Sequence, residues 1–84
     1  MKPIRLTKHA LLQCLERGAT EEEVIAAVEI GIREAAKKGR MLCRYNVPFN
    51  QMWQDSIYAI KQIAPIIIEE PDEIVVVTVY TFYF

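Results

Sequence analysis

The sequence predicts an α+β domain in which two N-terminal helices pack on a three- to four-stranded antiparallel β-meander. Three observations predict it. The first third of the chain carries helix caps in register with apolar residues at helical spacing; from Met41 onward the apolar residues recur at every second position; and the helical part precedes the stranded part without interleaving. With 84 residues, 52% of them hydrophobic, the chain is read as one domain, residues 1–84, near the size at which a single core only just offsets chain entropy.

The elements follow in order. A short first strand fits the run KPIRL. Thr7 is placed to cap a helix running to about Arg17, and Gly18 supplies its stop. At about 100° per residue, Leu11, Cys14 and Leu15 gather on one side, expected to be buried, with Leu12 at its border. His9, Gln13, Glu16 and Arg17 form a polar stripe on the other side. The run TEEEVIAAVEIG reads as a second helix: Thr20 and Glu23 make a capping box, three glutamates occupy the first turn where the helix dipole favours negative charge, and Gly31 closes it. Val24, Ile25, Val28 and Ile32 form its expected buried stripe. The basic connector IREAAKKGR has no period and reads either as a frayed helix or as a loop. Then MLCRYNV alternates as a strand, DSIYAIKQIAPIII is a long second one interrupted by Pro65, and EIVVVTVYTFYF is a third. Pro65 cannot donate to a ladder and is expected at an edge, a bulge or a bend. EEPDE is turn chemistry, with Pro71 and Asp72 at the corner.

Composition removes several function classes. Ten Lys and Arg against eleven Asp and Glu give a net charge of −1, so any anion site must be local. Cys14 and Cys43 form no CxxC and imply no disulfide framework, which suits a reducing cytoplasm. The start MKPIRLTKHALL lacks the apolar run of a signal peptide. The longest apolar run, IVVVTVYTFYF, falls short of the roughly 20 residues of a spanning helix, so no membrane partner is expected. Gly18, Gly31 and Gly39 make neither a P-loop nor a dinucleotide fingerprint. One histidine and two scattered cysteines are a poor zinc set. Ser56, the only serine, has no nucleophile-elbow glycines. Cys14 lies about 140° around the helix from His9, so the two do not pair. No metal and no cofactor is expected.

What remains is a metal-free set: His9, Arg17, the basic residues Arg33, Lys37, Lys38, Arg40 and Arg44, then Lys61 and Tyr80. Such residues suit RNA cleavage by transesterification. A base removes the 2′-hydroxyl proton, an acid protonates the leaving oxygen, and a cation steadies the phosphorane. Histidine serves either proton-transfer role, and arginine matches phosphate oxygens bidentately. Lys61 interrupts the apolar alternation of its strand, so it either snorkels to an edge or faces a site. Tyr80 and Tyr83 fall on opposite faces by period two. Trp53 reads as a loop anchor or part of a stacking surface. Plain readings stand beside these: a single histidine on a polar stripe is more often a solvated residue, and the cations from 33 to 44 more often a solvated connector.

The pattern HALLQCLERGATEEEVIAAVEIG resembles the opening of a bacterial family known as domain of unknown function 4258. The matching features are His9-Ala10, Arg17-Gly18, the Thr20 to Glu23 helix start and Gly31, and the ending YAIKQIAPIIIEEPDEIVVVTVYTFYF is similar to one branch of that family. Two positions depart from the family's pattern: Gln13 stands where many relatives carry arginine, and Ala19 where isoleucine is usual. The resemblance implies a RelE-like or barnase-like fold and a toxin-like, metal-independent endoribonuclease, with His9 and Arg17 carried over from the helical motif.

Two readings follow. In the first, His9 is general acid or base, Arg17 and Lys61 hold phosphate, Tyr80 assists, and Arg40 and Arg44 bind RNA; His9 and Lys61 must then share one concavity. In the second, the chain is a non-enzymatic interaction module whose strand from Glu73 to Phe84, at a sheet edge, recruits an antitoxin-like protein or a second copy of itself.

Overall fold

The computed structural model describes residues 2–84. The elements are β1 (Ile4–Leu6), α1 (Lys8–Arg17), α2 (Glu21–Ile30), β2 (Ile32–Ala35), β3 (Met41–Trp53), β4 (Ser56–Glu69) and β5 (Ile74–Tyr83), with a 3₁₀ turn at Lys37–Gly39. The strands form one sheet in the order β1-β5-β4-β3-β2. All pairs are antiparallel except β1 with β5, so the sheet has five strands and is mixed, not the three- to four-stranded antiparallel meander expected. β1 is the short strand expected at KPIRL, whereas β2 is unexpected and lacks an apolar signature. β2 arises inside the basic connector and is exposed along its whole length, so no period-two burial marks it. β1 is three residues long and is held from outside, by Ile74 N–H to Pro3 O (2.9 Å) and Thr7 N–H to Val76 O (3.1 Å).

The helix ends follow the caps. Thr7 Oγ1 accepts from the Ala10 N–H at 3.1 Å, and Gly18 adopts the left-handed conformation at φ 76°. At α2 both halves of the Thr20–Glu23 capping box are made. Gly31 ends α2 with ordinary φ, and its missing Cβ answers a different need: that atom would lie 2.8 Å from the Arg44 carbonyl oxygen of β3.

α1 is turned on its axis by about 100° from the facing its periodicity suggests, with Cys14 buried as expected. Ala10, Gln13 and Cys14 are buried, whereas Leu11, Leu12 and Leu15 are exposed, Leu15 to 82%. The reason lies in β5. Its pairing with β1 stops at Val76, and Val79 then faces α1 with both backbone groups unpaired by any strand. Gln13 Oε1 accepts the Val79 N–H at 2.7 Å and Arg17 Nη1 donates to the Val79 carbonyl at 2.8 Å. Two side chains one helical turn apart thus replace a missing strand, and the amide is drawn inside. Along α2 the buried residues are Val24, Ala27 and Val28; Ile32 belongs to β2 and is exposed.

β5 is an edge strand over part of its length. β1 pairs its outer side only from Ile74 to Val76 and α1 takes up Val79, so the expectation of a strand open from Glu73 to Phe84 is corrected to one with no neighbouring strand on that side beyond Val76. Pro65 sits fully buried in β4, the middle strand. The β3–β4 ladder skips from Leu42–Ile66 to Tyr45–Ile63 beside it, and a bulge at Val77 interrupts β5 on its other side. Both helices cover one face, over a core of Val24, Val28, Cys43, Ile63, Ile67 and Val76. Cys14 and Cys43 are buried free thiols, and burial raises the pKa of both. No helix among the described residues is long and apolar enough to cross a membrane.

Candidate functional site

On the helix side, the sheet holds the end of α1. Lys61 is buried, and its Nζ donates to Gly18 O at 2.8 Å and to Glu23 Oε1 at 2.9 Å, with the Phe49 ring 5.4 Å away. Thr81 Oγ1 and Tyr83 Oη donate to Arg17 O at 2.9 and 2.6 Å. The last carbonyls of α1, which no helical N–H can reach, are therefore capped by three side chains of the sheet, and the ammonium stands where the helix dipole is negative. Trp53 stacks on Tyr83 at 4.8 Å and 14°. Gly18 is required beneath them, because a Cβ there would lie 2.7 Å from Trp53 Cζ3 and from the Tyr83 hydroxyl. Burial raises the Tyr83 phenol above its ordinary pKa; Glu23's charge acts the same way and the Thr81 contact opposes it.

This cluster is a structural joint that buries Lys61 and takes two of its three N–H donors. His9 is exposed in the first turn of α1, at the other end of the helix. The nine steps from His9 to Gly18 amount to about 13 Å along the axis. His9 and Lys61 therefore share no concavity.

The other face of the sheet has no helix on it. By period two Tyr80 and Phe82 stand together there, their ring centroids 6.4 Å apart and inclined by 27°. The Arg17 guanidinium carbon lies 5.2 Å from the Tyr80 centroid, and that of Arg44 lies 5.7 Å from Phe82. Arg44 is held by Glu34 (Nε to Oε1, 2.6 Å) and Gln62 (2.8 Å), and Gln62 donates in turn to Asn46 Oδ1 at 2.8 Å. β2, β3 and β4 are thereby tied across this face. The connection from β2 to β3 folds tightly, with Lys38 and Gly39 at φ 62° and 72° and the Ala36 N–H on Arg40 O at 2.8 Å. It sets Lys37, Lys38 and Arg40 on the rim of a cavity of about 720 Å³ floored by Leu42, Ile66, Tyr80 and Phe82. That volume lies within the roughly 300–1,000 Å³ typical of ligand sites. A second cavity, of about 220 Å³, adjoins it at Tyr80 and is lined by Glu16, Arg17, Trp53, Gln54 and Tyr83.

The structure thus brings together Arg17, Arg40, Arg44 and Tyr80 among the residues singled out from the sequence, and leaves His9 and Lys61 outside. Phe82 belongs to the surface although nothing singled it out; its i+2 spacing from Tyr80 is the signal that marks it. Among the described residues no cluster of His, Cys, Asp and Glu is arranged to hold a metal ion. Comparison with protein-family models, with curated proteins and with solved structures yields no match.

Proposed function

We propose that this chain binds single-stranded RNA on the helix-free face of its sheet. One observation carries the reading: the Tyr80–Phe82 ring pair, exposed to 40% and 41%, flanked by Arg17 and Arg44 and overhung by Lys37, Lys38 and Arg40. A solvated sheet face ordinarily carries polar residues. Rings at that position offer stacking platforms for bases, worth about 1–3 kcal/mol per base, and Lys37, Lys38, Arg40 and Arg17 offer partners for phosphates, Arg44 being paired with Glu34. A duplex hides its bases from such rings, so the ligand is a single strand. The whole-molecule charge of −1 leaves attraction to this local patch.

Strand cleavage is the narrower form of the proposal, the toxin-like, metal-independent endoribonuclease to which the resemblance of the helical motif points. On this surface Arg17 and Arg40 would steady the phosphorane, and the Tyr80 hydroxyl would take the 2′-hydroxyl proton as its own proton passes to the leaving 5′-oxygen. Lys61 is committed to Glu23 and Gly18, and His9 stands apart, so neither has a part in it.

A fluorescein-labelled RNA octamer tests both forms, by anisotropy for binding and by denaturing gel for cutting. Tyr80→Ala is expected to weaken binding at least about fivefold, as loss of a stacking platform does. Arg40→Ala should weaken it as well, and His9→Ala should leave it unchanged. Neutralising three to four phosphates gives a log–log salt slope of about −2 to −3. Equal affinity of the native and Tyr80→Ala chains would sink the RNA reading. Bound but intact RNA would remove cleavage and leave a binding domain; cuts that Arg40→Ala abolishes would establish it.

A further inference from the structure

We infer that the smaller cavity beside Arg17 is a second nucleotide subsite, so that a strand lying on Tyr80 and Phe82 continues around the edge of β5 into it. The inference rests on the RNA reading above and adds the path of the strand. Tyr80 lines both cavities, so this ring stands at the divide between them and a strand stacked on it reaches both. The second cavity, at about 220 Å³, is smaller than the roughly 300 Å³ at which independent small-molecule sites begin, so it suits one unit of a chain already anchored next door.

Its free groups fit that unit. The hydroxyls of Thr81 and Tyr83 are spent on Arg17 O. Arg17 spends Nη1 on Val79 O, yet a guanidinium has five N–H donors, and the rest of its fork remains for a phosphate oxygen. Gln54, at the β3–β4 turn, carries an amide able to donate to and accept from a base edge, and the Trp53 ring, stacked on Tyr83, forms part of the wall. Glu16 is the one carboxylate in the lining and opposes the incoming phosphate. A strand threaded this way passes over a sheet edge that no neighbouring strand occupies beyond Val76.

Trp53 is the only tryptophan and lines this cavity, so its emission reports on changes there and at the ring stack it shares with Tyr83. The full-length chain is titrated with 5′-fluorescein 2′-O-methyl RNA of eight nucleotides, which resists transesterification, while anisotropy and Trp53 emission are read together. The octamer is expected to raise anisotropy and change Trp53 emission over the same concentration range. Glu16→Gln should tighten octamer binding about 1.5- to 5-fold, the effect of removing one exposed like charge. Gln54→Gly, which keeps the positive φ of 55° at that position, should weaken it. Octamer binding by anisotropy with Trp53 emission unmoved and both variants at native affinity would overturn the second subsite and leave the first reading standing. Absence of any anisotropy change would overturn both.

Discussion

At the scale of single residues, Lys61 illustrates how one side chain supports two readings until its partners are known. A lysine that breaks the apolar alternation of a strand is either a catalytic group in a cleft or a buried counter-charge. Here Glu23 and the Gly18 carbonyl take it up. Glu23 Oε1 also accepts the Thr20 N–H in the capping box, so a single oxygen links the start of α2 to the sheet. Removing one partner of a buried pair strands the other, so Lys61→Met is expected to cost about 3 kcal/mol in urea unfolding. Glu23→Gln keeps an oxygen for Thr20 while discharging the partner, and the double variant should lose less than the two single losses added. Strict additivity would mean that the two groups do not act as a pair.

At the scale of elements, α1 has its ends where the caps place them and its faces where the caps have no say. Thr7 and Gly18 act through backbone groups within a few residues, and such interactions are legible along the chain. The facing is decided by β5, about sixty residues away, whose Val79 would otherwise present an unpaired N–H and carbonyl to α1. The expected consequence is an inverted mutational profile: Gln13→Ala should cost about 1–3 kcal/mol, because it leaves the Val79 N–H buried without an acceptor. Leu15→Ser should stay within about 0.5 kcal/mol of the native chain, as exposed substitutions do. Chemical denaturation of the two variants checks this, and a larger loss for Leu15→Ser would refute the facing of α1. The same long-range logic explains why β2 escaped notice: a strand exposed on both faces has no hydrophobic period, and its place is set by pairing with β3.

At the scale of the whole molecule, the principal extents of 41 × 24 × 23 Å reflect the long β3–β4 hairpin. Two ten-residue helices, each about 15 Å long, cover one face of such a sheet and leave the other to solvent. Three of the five ion pairs among the described residues collect at one end, where Lys2 and Arg33 meet Glu69, and Arg5 meets Glu73. Lys2 holds the Glu69 carboxyl below its ordinary pKa of 4.5, with Arg33 contributing, and Arg5 does the same to Glu73. A carboxyl depressed in the folded state binds fewer protons there than in the unfolded chain. Its contribution is present above pH 4.5 and is lost as pH falls through the folded value. Stability should therefore decline on acidification below that pH, and Arg5→Ala should flatten the decline. Thermal unfolding across the acid range tests it; an unchanged profile in Arg5→Ala would deny Arg5 that role. Tyr83 has the opposite sign, since its raised phenol pKa contributes stability that is lost as pH climbs above 10.

Taken by itself, the sequence determined the α+β class, both helices with their caps, the three long strands, and the separation of Tyr80 from Tyr83 across the sheet. Each rests on local propensity, on capping within one turn, or on a period of two. Only the tertiary structure decided that β1 joins in parallel, that Gln13 turns inward while Leu15 turns out, that Lys61 is spent on Glu23, and that Arg17, Arg40, Tyr80 and Phe82 meet on one surface. Those outcomes depend on which backbone groups remain unpaired once distant strands have assembled. No short window of the chain carries that information.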